Sequence, residues 1–304
     1  MIYTVTTNPS LDYYMELGAL PALGEINRAK RESVYPGGKG INVAVMLARL
    51  GHEACALGFA AGVVGDAIGA LLQKEGCASE FIPLDNGESR INVKLLCEKE
   101  TAINGRGPDI DAKSARKLLE KAETLTADDT LVLSGNLQSS CENLYEQLAL
   151  RAKKAAARLV VDATGEALRQ TLAYDPWLIK PNREELADYF GASAETDEQI
   201  IALAKKLQAQ GARNVLVSLG ADGALLVTED GTVLRANLHA KGMVVSTVGA
   251  GDSMVAGFLA GTMRGYSHAD ALRLASAAGT ASAYTDMLAT GEDVEQTLRE
   301  VTVE

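Results

Sequence analysis

The residues best suited to chemistry lie in Ser246-Thr247-Val248-Gly249-Ala250-Gly251-Asp252-Ser253, where a glycine-rich run leads into the small residues Ala256, Gly257, Ala260 and Gly261. A glycine loop between a short apolar strand and a helix points successive backbone N–H groups and the positive helix end at one spot. That spot suits phosphate oxygens or a developing negative charge. An aspartate placed there can take the proton of an attacking hydroxyl while the amides of Gly249, Ala250 and Gly251 hold the group in transfer. An isolated aspartate also simply favours a helix N-terminus electrostatically, so its neighbours must decide its role. Two other phosphate loops are excluded by letter. Met254 stands where a dinucleotide fingerprint needs its third glycine, and Lys39 is followed by Gly40 instead of the Ser or Thr of a P-loop.

Four further runs offer binding groups. Gly37-Gly38-Lys39-Gly40-Ile41-Asn42 heads a helical pattern; its glycines let a ligand approach the backbone, Lys39 is a mobile cation, and Asn42 can both donate to and accept from a polyol. Lys180-Pro181-Asn182-Arg183-Glu184-Glu185 follows an apolar strand. Its Asn-x-x-Glu is a capping box, and an amide with a carboxylate at a helix start can also organise hydrated magnesium. Ser218-Leu219-Gly220-Ala221-Asp222-Gly223 reads as a tight hairpin whose backbone can pack against a nucleotide. Arg90 and Asn92 share one face of a strand, the arginine suited to a bidentate phosphate contact, and Asp12 follows the first strand at its C-terminal end. His52, His239 and His268 fit no triad or metal spacing.

The elements that must position these groups alternate. After an opening strand at 2–7, strand patterns at 54–60, 130–134, 158–162 and 176–180 are each followed by a helical one, and a further strand is expected at 214–218; that alternation implies a mostly parallel sheet covered by helices, an α/β fold. The polar, strand-like stretches 12–17 and 26–35, with 79–84 and 90–104, predict a small separate sheet lying over one end of the core as a lid. The last third predicts strands at 224–228, 232–235 and 243–246 and helices at 250–264, 268–286 and 292–300. No repeat, low-complexity tract or Pro/Ser linker divides the 304 residues, so one domain, 1–304, is expected.

Composition narrows the classes. The formal charge of −11 argues against a nucleic-acid partner and makes any phosphate site depend on local cations and backbone amides. No apolar run reaches the roughly 18 residues of a membrane span, and the start MIYTVTTNPSLD reads as a strand instead of a leader. A cytoplasmic protein with no membrane partner is expected. Cys55, Cys77, Cys97 and Cys141 are scattered without metal-binding spacing.

Together these runs resemble the PfkB, or ribokinase-like, carbohydrate kinase family. STVGAGDSMVAGFL (246–259) matches the C-terminal signature throughout. GGKGINVA (37–44) with Gly51 matches the N-terminal one, except that Ala61 beside Gly62 stands where the pattern has glycine. The resemblance implies a three-layer α/β/α sandwich with a β lid from about 12–35 and 88–106, and an ATP- and magnesium-dependent sugar-phosphate kinase, with a monovalent cation as a further candidate cofactor. By similarity Asp252 is the base and Gly249–Gly251 the anion hole. Lys180, Asn182 and Glu185 face triphosphate and magnesium; Ser218, Gly220, Gly223 and Thr247 face the nucleotide. Asp12, Gly37, Gly38 and Asn42 hold sugar hydroxyls, and Lys39, Arg90, Arg28 and Asn92 hold the existing phosphate. TTNPSLD, ESRINVKL, ETAINGRGP and PWLIKPNREEL are similar to members acting on ketohexose phosphates. Fructose 1-phosphate is the first expectation, with tagatose 6-phosphate as the alternative, and a homodimer through the lids is implied. A catalytically silent nucleotide-binding regulator is the competing class, against which the retained Asp252, Gly249 and Gly251 argue.

Overall fold

The structure, a computed structural model, describes residues 1–97, 101–239 and 242–304; residues 98–100 of the expected lid lie outside it. In chain order the first half runs β1 (Ile2–Thr6), β2 (Ser10–Glu16), β3 (Arg31–Gly37), α1 (Lys39–Arg49), β4 (Ala54–Ala60), α2 (Gly62–Lys74), β5 (Ala78–Pro83), β6 (Arg90–Leu96), β7 (Thr101–Asn104), α3 (Ala112–Ala122), β8 (Thr130–Ser134) and α4 (Leu144–Lys154). The second half runs β9 (Arg158–Asp162), α5 (Gly165–Leu172), β10 (Leu178–Ile179), α6 (Arg183–Phe190), α7 (Asp197–Ala209), β11 (Asn214–Ser218), β12 (Ala224–Val227), β13 (Val233–Leu238), α8 (Ala250–Met263), α9 (His268–Ala283), α10 (Gly291–Leu298) and β14 (Val301–Val303).

The large sheet has the order β14-β13-β12-β11-β10-β9-β8-β1-β4-β5, parallel from β11 to β5 and antiparallel beyond. Its inner strands β8, β9 and β11 are buried on both faces, so they read as near-continuous apolar runs. Val132, Val160 and Leu216 join a core with α1, α8 and α9, while Leu131, Val161 and Val217 face α3, α4 and α7. The result is three layers. Sequential strands leave β1 in opposite directions, to β4 and β5 on one side and to β8 and β9 on the other. β1 therefore borders the switch point where open α/β sheets bind ligands. The small residues of α8 have a packing cause: a Cβ on Gly257 or Gly261 would lie 2.8 Å from the backbone of Ala275 or Ala271 on α9.

A second sheet, β3-β2-β6-β7, stands apart from the first. The strand expected at 79–84 does not belong to it. As β5 it pairs in parallel with β4 through Cys55↔Ala78 to Ala60↔Pro83, completing a β4-α2-β5 crossover that sequence alternation already contained. The strand expected from residue 26 begins only at Arg31, after a segment punctuated by Gly18, Pro21 and Gly24. No strand forms at 243–246, which is irregular. Helices α3 and α7 and strand β14 were not anticipated, although Thr196 and Gln199 form a capping box that announces α7.

Candidate active site

Gly249 caps α8 with φ 77°, a left-handed conformation that glycine adopts without strain. Two residues later, a side chain at Gly251 would meet Lys180 Nζ at 3.0 Å, so this glycine lets the lysine close on the turn. Asp252, in the first turn, is 5% exposed and its Oδ2 accepts a hydrogen bond from Asn42 Nδ2 at 2.8 Å. Burial first, and the Asp162 carboxylate second, push the Asp252 carboxyl up to about 7, against the pull of Lys39, Asn42 and Lys180. A carboxyl that releases its proton near neutrality suits a general base.

Asp162 was not singled out from the sequence. It ends β9 at 2% exposure, with Oδ1 3.3 Å from Lys180 Nζ and Oδ2 3.6 Å from Lys39 Nζ. Burial opposes its ionisation, but Lys180, Lys39 and a hydrogen bond from the Asp252 carboxyl hold it below the usual carboxylate range. One aspartate at the end of an apolar strand carries no spacing signal; only the parallel register, Ser134↔Asp162, brings it to the site. Lys39, expected on the sugar's phosphate, projects between Asp162, Asp252 and Glu185. Burial opposes its charge, but these three carboxylates together raise its proton affinity.

On the other side of Asn42 lies the small sheet. Asp12 Oδ1 accepts from Ser10 Oγ at 2.7 Å and from Asn92 Nδ2 at 2.8 Å, and a Cβ on Gly37 would strike the same carboxylate. Gly38 (φ 127°) and Gly40 let the start of α1 close on β1, where Thr6 Oγ1 accepts from Ile41 N at 3.0 Å. Arg90 Nε donates to Asn8 O at 3.1 Å. Asp12, Gly37, Asn42, Arg90 and Asn92 thus gather at the C-terminal end of β1. Arg28 does not join them; it is exposed on the segment between β2 and β3 and makes no hydrogen bond or ion pair among the described residues.

Lys39, Asp162, Lys180, Asn182, Glu185, Ser218, Gly220, Gly223, Thr247 and the 249–252 turn line one cavity of about 640 Å³. Ser276 and Thr280 of α9, which sequence reading passed over, also line it, and Ser276 Oγ is buried without a hydrogen-bond partner among the described residues. Asn182 and Glu185 form the capping box of α6: Asn182 Oδ1 accepts from Glu185 N at 2.7 Å and Glu185 Oε2 from Asn182 N at 2.9 Å. The hairpin reading of 218–223 holds, with Gly223 at φ 91° because a Cβ would lie 2.1 Å from Ala236 O.

This constellation can be compared with known proteins. A family model described as pfkB family carbohydrate kinase matches residues 5–291. The chain belongs to the pfkB family of carbohydrate kinases. Its architecture is that of ribokinase-like enzymes. It is 43% identical to a 1-phosphofructokinase of Bacillus subtilis, over 100% of this chain and 99% of the relative. It is 37% identical to a D-tagatose-1-phosphate kinase of Bacillus licheniformis, with the same coverage. The structure of phosphofructokinase-2 from Escherichia coli in complex with substrates and products superposes with a TM-score of 0.91 at 29% identity, covering 98% of each chain.

A pfkB kinase implies ATP and a divalent metal, and the residues present fit both. The cavity offers the backbone amides of the α8 turn and the Lys180 ammonium to phosphates, and unpartnered Ser276 Oγ to a polar ligand. Among the described residues no group of three metal-ligating carboxylate, histidine or cysteine side chains exists. Glu185 retains one carboxylate oxygen outside its cap, which suits an ion held mainly by phosphate oxygens and water.

Proposed function

We propose that this chain transfers the γ-phosphoryl group of ATP to the 6-hydroxyl of fructose 1-phosphate, forming fructose 1,6-bisphosphate and ADP. The carrying observation is Asp252: a buried carboxyl, poised near 7, beside the capping turn of α8 and hydrogen-bonded to Asn42. Asp252 takes the proton of the 6-hydroxyl as that oxygen bonds to the γ-phosphorus, and the bond to the β–γ bridging oxygen breaks. The amides of Gly249, Ala250 and Gly251 receive the charge on the equatorial oxygens, with Lys39 and Lys180 beside them.

Asn182 and Glu185 would hold hydrated magnesium, whose charge screens the phosphates when bound. Ser218, Gly220, Gly223 and Thr247 would face the nucleotide. Asp12, Gly37, Gly38 and Asn42 would hold sugar hydroxyls, and Arg90 with Asn92 the 1-phosphate. The small sheet would act as a lid that excludes water, a competing phosphoryl acceptor. The exposed Ile91 and Ile103 of that sheet support a homodimer through it. ATP supply and the free thiols of Cys55, Cys77 and Cys141 suit the cytoplasm.

Two relatives are named for ketohexose 1-phosphates, which supports a 1-phosphate over a 6-phosphate. The test is ADP release with fructose 1-phosphate, tagatose 1-phosphate, tagatose 6-phosphate and fructose 6-phosphate. The highest kcat/KM is expected with fructose 1-phosphate. A higher value with another sugar reassigns the substrate, and no ADP from any of them, with ATP still bound, leaves a regulator.

A further inference from the structure

The reaction written above gives Asp162 no step, yet its carboxylate is buried on β9 with both active-site lysines on it. It is rigidly held. Gly135 N donates to Asp162 O at 2.9 Å and Lys180 N donates to the preceding Val161 O at 3.2 Å, so strand and lysine are tied at the backbone. The Lys39 stem rests about 3.8 Å from where a Cβ on Gly135 would be, a gap that a side chain would narrow.

The groups facing Asp252 are Asp162 from β9, Lys180 from the chain after β10, and Lys39 and neutral Asn42 from α1; Glu185 of α6 acts on Lys39. Two flexible ammonium groups next to two carboxylates could pair with either. Both make their ion pairs with Asp162, while Asp252 accepts a hydrogen bond from the amide of Asn42.

We propose that Asp162 is a positioning residue that draws Lys39 and Lys180 away from Asp252 and fixes them beside the α8 turn, where they meet the phosphoryl group. Removing its charge would let both lysines fall onto Asp252. The base would then be weaker, and the cations would be misplaced for the transfer. The direction agrees with the present balance, in which Asp162 raises the proton affinity of Asp252 and the lysines lower it. This inference rests on the reading of Asp252 as the base of a kinase.

The experiment follows Asp252 by carbon-13 NMR of carboxyl-labelled aspartate in the ligand-free protein, assigned with Asp252→Asn, alongside the pH dependence of kcat/KM. In Asp162→Asn the Asp252 midpoint should fall by roughly one unit or more. The acid limb of kcat/KM should move with it, and kcat at pH 8 should drop about tenfold or more as the base weakens and the lysines shift. Asp162→Glu, which keeps the charge, should return the midpoint toward wild type, and Lys39→Met should raise it. A folded Asp162→Asn protein with an unmoved Asp252 midpoint overturns the proposal. Should that variant fail to fold, Lys39→Met and wild type decide: an Asp252 that titrates as an ordinary carboxylate near 4 in wild type, or that does not rise in Lys39→Met, overturns it equally. The NMR titration needs no turnover, so the wrong sugar would leave this result standing, whereas an unmoved midpoint in an active kinase would sink this inference alone.

Discussion

Replacing Asp252 with Asn keeps its size and its contact with Asn42 but removes the proton acceptor. Turnover should fall at least about 10²-fold with ATP affinity retained, the scale of general-base loss; calorimetric titration with ATP beside ADP release separates the two. The pH dependence has a definite sign. The base works deprotonated, so kcat/KM should fall about tenfold per unit below its midpoint near 7 and level off above it. Stability runs the other way. A carboxyl whose folded-state affinity for the proton is raised stabilises the fold below its unfolded midpoint, near 3.9, and that contribution is lost as pH rises through 7. At pH 8 Asp252→Asn should therefore melt higher than wild type, and a lower melting temperature would contradict the electrostatic account. Asp252 was legible because glycines at 249 and 251 mark the turn it follows. Asp162 was not, since its partners arrive from residues 39 and 180 and no local pattern records them.

The elements hold these residues through close backbone approaches. In β4, Gly58 pairs with Thr6 of β1 at φ 148°, and a Cβ there would lie 1.9 Å from Thr6 O. Neither strand can move, because both are inner strands of the sheet. Gly58→Ala should cost about 1–3 kcal/mol or more, read as a lowered denaturant midpoint with an unchanged slope. The small sheet offers the complementary test. Arg90 uses Nε on Asn8 O, and its terminal nitrogens carry no hydrogen bond among the described residues. Arg90→Ala should remove a charge-assisted phosphate contact of about 1.5–3 kcal/mol, a KM for the sugar phosphate raised roughly 10- to 100-fold, with the KM for ATP nearly unchanged. An unaltered sugar KM would remove Arg90 from the phosphate. Strand and helix alternation was legible wherever apolar runs were long, and it failed where assignment depended on the partner. Residues 78–83 look half-buried and polar from the sequence because they form the edge of the large sheet, which is also how a strand of the small sheet looks.

At the scale of the whole molecule, alternation along β2 and β6 makes the small sheet two-faced. Ser10, Asp12, Tyr14 and Asn92 are buried toward the site, whereas Tyr13, Met15, Ile91, Val93 and Leu95 lie on the alternate positions in register. Ile103 of β7, opposite Val93, extends that face; Ile91 and Ile103 are 42% and 60% exposed. A continuous apolar face of this kind calls for a partner, and a second copy supplies the same face. Light scattering should give twice the chain mass, and Ile91→Asp with Ile103→Asp should give the monomer, folded because neither residue supports the core. The salt dependence discriminates further. Each chain carries a formal −11, so two copies repel at low ionic strength and screening favours their association. Raising sodium chloride from about 0.05 to 0.5 M shortens the screening length from roughly 14 to 4 Å and should leave the dimer as tight or tighter. A dimer that falls apart as salt rises would be held by ion pairs, and the apolar face of the lid would not be its interface.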